Sequence, residues 1–136
     1  EVHWEVSDVA RLFRTATVAV TAAGTTLWEL VACGVTPVAV QVADNQAVVA
    51  AGLRAHDAGL DLGRHTALCG ATVAAAVTHL LENPRTLRRL KENGRDLVDG
   101  RGVWRAIDAL LDAVDDGGPW SRESATHPRA TPPQRR

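Results

Sequence analysis

The chain has 136 residues, a formal net charge of -1 and a 46% hydrophobic composition, which suits one domain with a core of its own. The near-neutral balance removes the electrostatic case for a nucleic-acid or anionic-membrane surface. No apolar run nears the ~20 residues a membrane helix needs, and nothing at the start reads as a signal peptide, so a cytoplasmic location is expected. Aromatic residues are limited to Phe13 and four tryptophans, as expected of an α/β domain built on small and branched aliphatics.

In chain order, Val2, Trp4 and Val6 alternate with His3 and Glu5, the period of a strand. Ser7 or Asp8 is placed to cap a short helix with Val9, Leu12 and Phe13 on one face. Residues 18–21 are a β-branched, apolar run that predicts a strand buried on both sides. Ala22-Ala23-Gly24-Thr25-Thr26 leads into an amphipathic helix reaching about Cys33, with Leu27, Leu30 and Val31 inward and Gly34 as its stop. Residues 37–42 predict a second strand with Pro37 at its first position. Asp44-Asn45-Gln46 opens an Ala- and Val-rich helix that ends near Ala58-Gly59, and Leu60 with Leu62 marks a short third strand. Helices follow over 73–81, 84–97 and 103–114, the second with Pro84 at its first position. Residues 1–115 are thus read as one Rossmann-like domain. Residues 116–136, rich in Pro, Gly, Ser and Arg, are expected to be a disordered tail. The chain has no methionine and opens on Glu1 in a strand-like stretch, so a fragment whose preceding segment carries part of the function is expected.

Strand–helix alternation predicts a parallel sheet with right-handed crossovers. Ligands of such sheets sit beyond the carboxyl ends of the strands, which singles out the loops after Val6, Thr21 and Val42. The Ala22–Thr26 loop is made of small residues and precedes a helix, an arrangement suited to a phosphate; it equally suits a tight turn capped by threonine. It has neither a G-x-G-x-x-G fingerprint nor the lysine of a P-loop. Thr26-Leu27-Trp28-Glu29 matches a capping box. Alternatively, Glu29 accepts hydrogen bonds from a ribose diol, since a carboxylate is repelled by phosphates. Asp44 is a good helix cap in its own right, while Asn45 and Gln46 add amides suited to sugar hydroxyls or acetamido groups. The five histidines have no carboxylate or serine partner at a recognisable spacing. Cys33 and Cys69 form no metal-type cluster and are expected to be buried free thiols. Nothing in the chain calls for a cofactor or a metal.

The stretch Thr21-Ala22-Ala23-Gly24-Thr25-Thr26-Leu27-Trp28-Glu29-Leu30 resembles the signature of the UDP-2,4-diacetamido-2,4,6-trideoxy-β-L-altropyranose hydrolases of pseudaminic acid synthesis. Their pattern is roughly A-G-G-[ST]-T-x-x-E-x-x-x-x-G-[VI]-P. Three further motifs follow in order: Ala43-Asp44-Asn45-Gln46 is similar to A-D-N-Q, Ala58-Gly59 to A-G-A, and Asp99-Gly100-Arg101-Gly102 to D-G-x-G. The resemblance covers residues 2–115. It implies the C-terminal, nucleotide-binding half of a GT-B architecture. By matched position, the backbone near Val6 reads uracil, Gly24, Thr25 and Thr26 hold the diphosphate, Glu29 holds the ribose, and Asp44, Asn45 and Gln46 reach the sugar. The implied ligand is a UDP-sugar. The implied partner is an N-terminal domain or subunit that carries the family's catalytic histidine, which no residue here matches. The sequence departs from the pattern in two places. Thr36 interrupts the G-[VI]-P, and Ala23 replaces a frequent second glycine, placing a methyl where a phosphate is expected. The resemblance implies a hydrolase releasing UDP and a diacetamido sugar. The donor-binding half of a GT-B glycosyltransferase and a non-catalytic remnant or binding module are the alternatives.

Overall fold

Parallel strands need flanking helices to cover them, and the computed structural model, which describes residues 1–115, builds that arrangement from short elements. Three strands, β1 (Val18–Ala22), β2 (Thr36–Gln41) and β3 (Leu60–Arg64), form one parallel sheet in the order β1-β2-β3. Val18 lies opposite Thr36 and Ala22 opposite Val40, while Val38 lies opposite Leu60. The helices are α1 (Val9–Phe13), α2 (Thr26–Ala32), α3 (Ala47–Ala55), α4 (Gly70–Glu82), α5 (Pro84–Leu97) and α6 (Gly102–Asp115). Single 3-10 turns over Asp44–Gln46 and His65–Ala67 follow β2 and β3. The expected Rossmann-like α/β arrangement is therefore what forms.

The helix signals act largely as the sequence predicts. Asp8 caps α1 by accepting from the Arg11 amide at 2.9 Å. Gly34, at φ +75°, ends α2: its N–H donates to the Val31 carbonyl at 2.9 Å and that of Val35 to Leu30 at 3.0 Å, the paired bonds of a Schellman motif. Pro84 opens α5.

The core has two parts. One gathers Ala23, Leu27, Val31, Ala39, Ala50, Leu53 and Ala58, with Trp28 packed against it. The other joins Val38 to Leu80 and Leu90, with Val18, Leu60, Leu62 and Val77 alongside. Each fully buried leucine contributes about 1.5–3 kcal/mol over leaving it in water. Residues Glu1–Asp99 form one compact unit; α6 lies in a second, which begins at Gly100.

Two expectations are corrected. Residues 2–6 form no strand: Glu5 takes φ 50° and Val2 and Trp4 are exposed. Alternation alone does not make a strand; a neighbour that accepts and donates its backbone hydrogen bonds does. Pro37 takes the second place in β2, since Thr36 already pairs and its amide donates to the Thr17 carbonyl at 3.2 Å. Thr36 is 1% exposed and its hydroxyl has no partner among the described residues. The expected tail, residues 116–136, lies outside the described residues.

Candidate functional site

The carboxyl ends of β1 and β2 carry the loops that the sequence singles out. Ala23 continues the ladder, its amide donating to the Val40 carbonyl at 3.0 Å, and it is fully buried in the core cluster that holds Leu27, Ala39 and Ala50. The expected methyl beside a phosphate is thus corrected: one residue past β1 the side chain still points into the core. Gly24 follows with nothing within 4 Å of the place a Cβ would take, so packing does not require a glycine there. The amides of Thr25 and Thr26 have no acceptor among the described residues, and both threonines are exposed.

The capping box does not form. Thr25 precedes α2 with helical angles, φ -62° and ψ -33°, and no side chain caps the helix. Glu29 is left exposed, with no hydrogen bond or ion pair among the described residues. With Val9, Ala10, Phe13 and Cys33 it lines a hollow of about 320 Å³ between α1 and α2. An unpaired carboxylate beside an apolar wall is suited to accept from hydroxyl groups of a ligand whose flat part rests on that wall. Val6 is half-buried in the irregular lead-in to α1, and no strand delivers it to the sheet edge.

After β2, Gln46 folds back so that its side-chain oxygen accepts from the Val42 amide at 2.9 Å, closing the loop. Asp44 is the first residue of the 3-10 turn and caps nothing; its carboxylate meets Arg64 at 2.5 Å. Asn45 is exposed and makes no side-chain hydrogen bond among the described residues.

Sequence reasoning missed what β3 adds. The Asp61 side chain is 1% exposed. Its carboxylate accepts from the Gln41 amide at 3.1 and 3.0 Å, from the Gly63 backbone at 2.8 Å, and from Arg54. Four donor contacts compensate this buried charge. Beyond it, the pairing with β2 slips: Ala39 faces Asp61, yet Gln41 faces Arg64, so β3 holds one extra residue. Gly63, at φ +83°, absorbs this bulge. His65 then places Nδ1 3.3 Å from the Gln41 carbonyl. The available signal was an aspartate between Leu60 and Leu62 with a glycine two places on; a charge inside an apolar strand needs a partner.

Cys69, just before α4, is exposed, which corrects the expectation of two buried thiols; Cys33 is half-buried. The Thr72 hydroxyl, and then the backbone amides of Thr72 and Ala71, hold the Cys69 thiol below its usual range. Among the described residues, no group of three or more His, Cys, Asp or Glu is arranged to hold a metal ion, and no helix is long and apolar enough to cross a membrane.

No protein-family model matches the chain, and no solved structure matches it. The chain is similar to the spore coat polysaccharide biosynthesis protein SpsG of Bacillus subtilis (strain 168), 28% identical over 111 residues, which is 82% of this chain and 33% of that protein. The chain therefore spans about a third of the length of the curated relative it matches, and the likeness loosely fits a sugar-biosynthesis family.

Proposed function

We propose that this chain is the nucleotide-binding, C-terminal half of a two-domain GT-B enzyme, and that it holds the UDP of a UDP-sugar. One observation carries the reading: the Thr25 and Thr26 amides, without acceptors among the described residues, stand about one helical turn from the Glu29 carboxylate, which has no donor among them. Donors without acceptors suit phosphate oxygens. A carboxylate without donors suits the ribose diol, the neutral part of a nucleotide that adjoins the phosphates. The opened Gly24 turn allows close approach, and Asp44, Asn45 and Gln46 extend the polar edge toward the sugar. The name of the Bacillus relative, a polysaccharide biosynthesis protein, fits a chain that handles activated sugars.

In this reading the reaction is hydrolysis. Water attacks the sugar, the bond to the diphosphate oxygen breaks, and a free diacetamido sugar and UDP leave. A histidine of a partner domain assists the water. This chain holds UDP and offsets the charge that develops on it. A second reading, donor binding for glycosyl transfer, is favoured by the relative's polysaccharide role, since polymer assembly needs a sugar acceptor in place of water.

Calorimetric titration with UDP tests the site, with CMP and ADP as controls. UDP-selective binding is expected, weakened about tenfold or more by Glu29→Ala, a loss of about 1.4 kcal/mol or more. A folded chain that ignores UDP would overturn the reading and leave a non-catalytic module.

A further inference from the structure

The anionic ligand just proposed raises a charge problem. The side chains assigned to it include two carboxylates, Glu29 and Asp44, and no cation. Across the last residue of each strand and the segment that follows it, residues 22–26, 41–46 and 64–69, the only Lys or Arg is Arg64. A diphosphate placed there with no cation would face net repulsion.

The fold spends a specific device on putting Arg64 in place. The extra residue of β3, the left-handed Gly63 and the buried Asp61 carboxylate that accepts the Gly63 amide together set the register in which Arg64 faces Gln41. Bulges of this kind re-aim a side chain at the end of a strand. Arg64 is then held by Asp44, but loosely, because the two side chains are 56% and 86% exposed. Exposed ion pairs add little to stability, so either partner is easily exchanged. A guanidinium binds phosphate oxygens through parallel donors, as it binds a carboxylate. β1 and β3 are separated by two strand spacings of about 4.8 Å each, a gap within the combined reach of an arginine side chain and a diphosphate.

We propose that Arg64 is a ligand-binding residue for the diphosphate, which exchanges the Asp44 carboxylate for phosphate oxygens when the nucleotide enters. The assignment rests on the UDP-binding reading above. Asp44 is the anion that phosphate replaces, and its carboxylate is then freed toward the sugar. Asp61 positions the arginine through the bulge and does not touch the ligand.

The test titrates the full 136-residue chain, Arg64→Gln and Asp44→Asn with UDP and with uridine, with circular dichroism to confirm that each is folded. Arg64→Gln is expected to weaken UDP tenfold or more and to leave uridine within twofold. Asp44→Asn, which removes the competing carboxylate, is expected to tighten UDP severalfold. Unchanged UDP affinity in folded Arg64→Gln, beside a parent that binds UDP, overturns the arginine assignment alone. Equal weakening of UDP and uridine in both variants also overturns it, since the pair then only shapes the loop. A parent that binds neither probe overturns the nucleotide reading and this proposal with it.

Discussion

The two ends of the sheet use the same residue types to opposite purposes. At the end where β3 begins, polar groups satisfy one another. Asp57, at φ 48°, accepts from Arg89 and from Asn93, whose amide also donates to the Asp57 carbonyl at 3.0 Å. Gly59 is wedged so tightly that a Cβ would lie 2.6 Å from the Pro37 carbonyl oxygen. Gly94, where α5 crosses α2, meets Val31 at 2.9 Å in the same sense. At the other end, Gly24 faces open space, and among the described residues the Thr25 and Thr26 amides lack acceptors and Glu29 lacks a donor. A folded chain rarely leaves backbone donors unpaired unless water or a ligand takes them. Glycine is required for packing at the closed end, whereas nothing in the packing requires it at the open end.

That contrast is most directly broken by alanine at the two glycines. Gly59→Ala is expected to cost about 3 kcal/mol, because the new methyl meets the Pro37 carbonyl and ring, neither of which is a flexible side-chain tip. Gly24→Ala is expected to stay within about 0.5 kcal/mol of the parent, while weakening UDP by crowding the loop. Thermal melting of both variants compares the ends directly. Equal losses would show that the open end is a packing feature after all.

A smaller effect, of opposite sign, is expected inside the core. The buried Thr36 hydroxyl has no partner among the described residues, so Thr36→Val should gain about 1 kcal/mol by removing an unsatisfied polar group. Denaturant titration reads this as a higher midpoint with unchanged slope; a loss would mean that the hydroxyl finds a partner in solution.

The smallest effect concerns Cys69, past the end of β3. Its hydrogen bonds favour the thiolate and lower its pKa. Alkylation of Cys69 should therefore reach its half-maximal rate below the pH of an ordinary thiol. Removing the first of these donors with Thr72→Val should move that midpoint up. A midpoint unaffected by this change would show that the Thr72 hydroxyl does not act on the sulfur.

Much of the fold is legible in local patterns. The Gly34 stop and Pro84 each encode their outcome within a few residues, because left-handed backbone and the missing proline N–H are local properties. The β-branched run ending at Thr21 does form a strand, but not the one buried on both sides that its composition predicts: its residues are half-buried at best and Val20 is 51% exposed. Residues 2–6 show the limit: their alternation is as good as any strand's, but among the described residues no neighbour pairs with them. The site divides in the same way. Gly24, Thr25, Thr26 and Glu29 form one contiguous motif, and the structure keeps them together at one strand end. Ala23, inside the same motif, looked like a departure beside a phosphate, and only its burial shows the methyl to be core.

By itself, then, the sequence determined the strand–helix alternation, the turn that leaves Gly24 open and the loop that presents Asp44, because each depends on residues adjacent in the chain. Tertiary structure alone decided what meets those loops. Asp44 and Arg64 are 20 residues apart, as are Gln41 and Asp61. Their contacts exist because β2 and β3 pair side by side and because a bulge at Gly63 shifts the register by one residue. A one-residue slip reverses the face to which a strand side chain points, and local periodicity gives no warning of it.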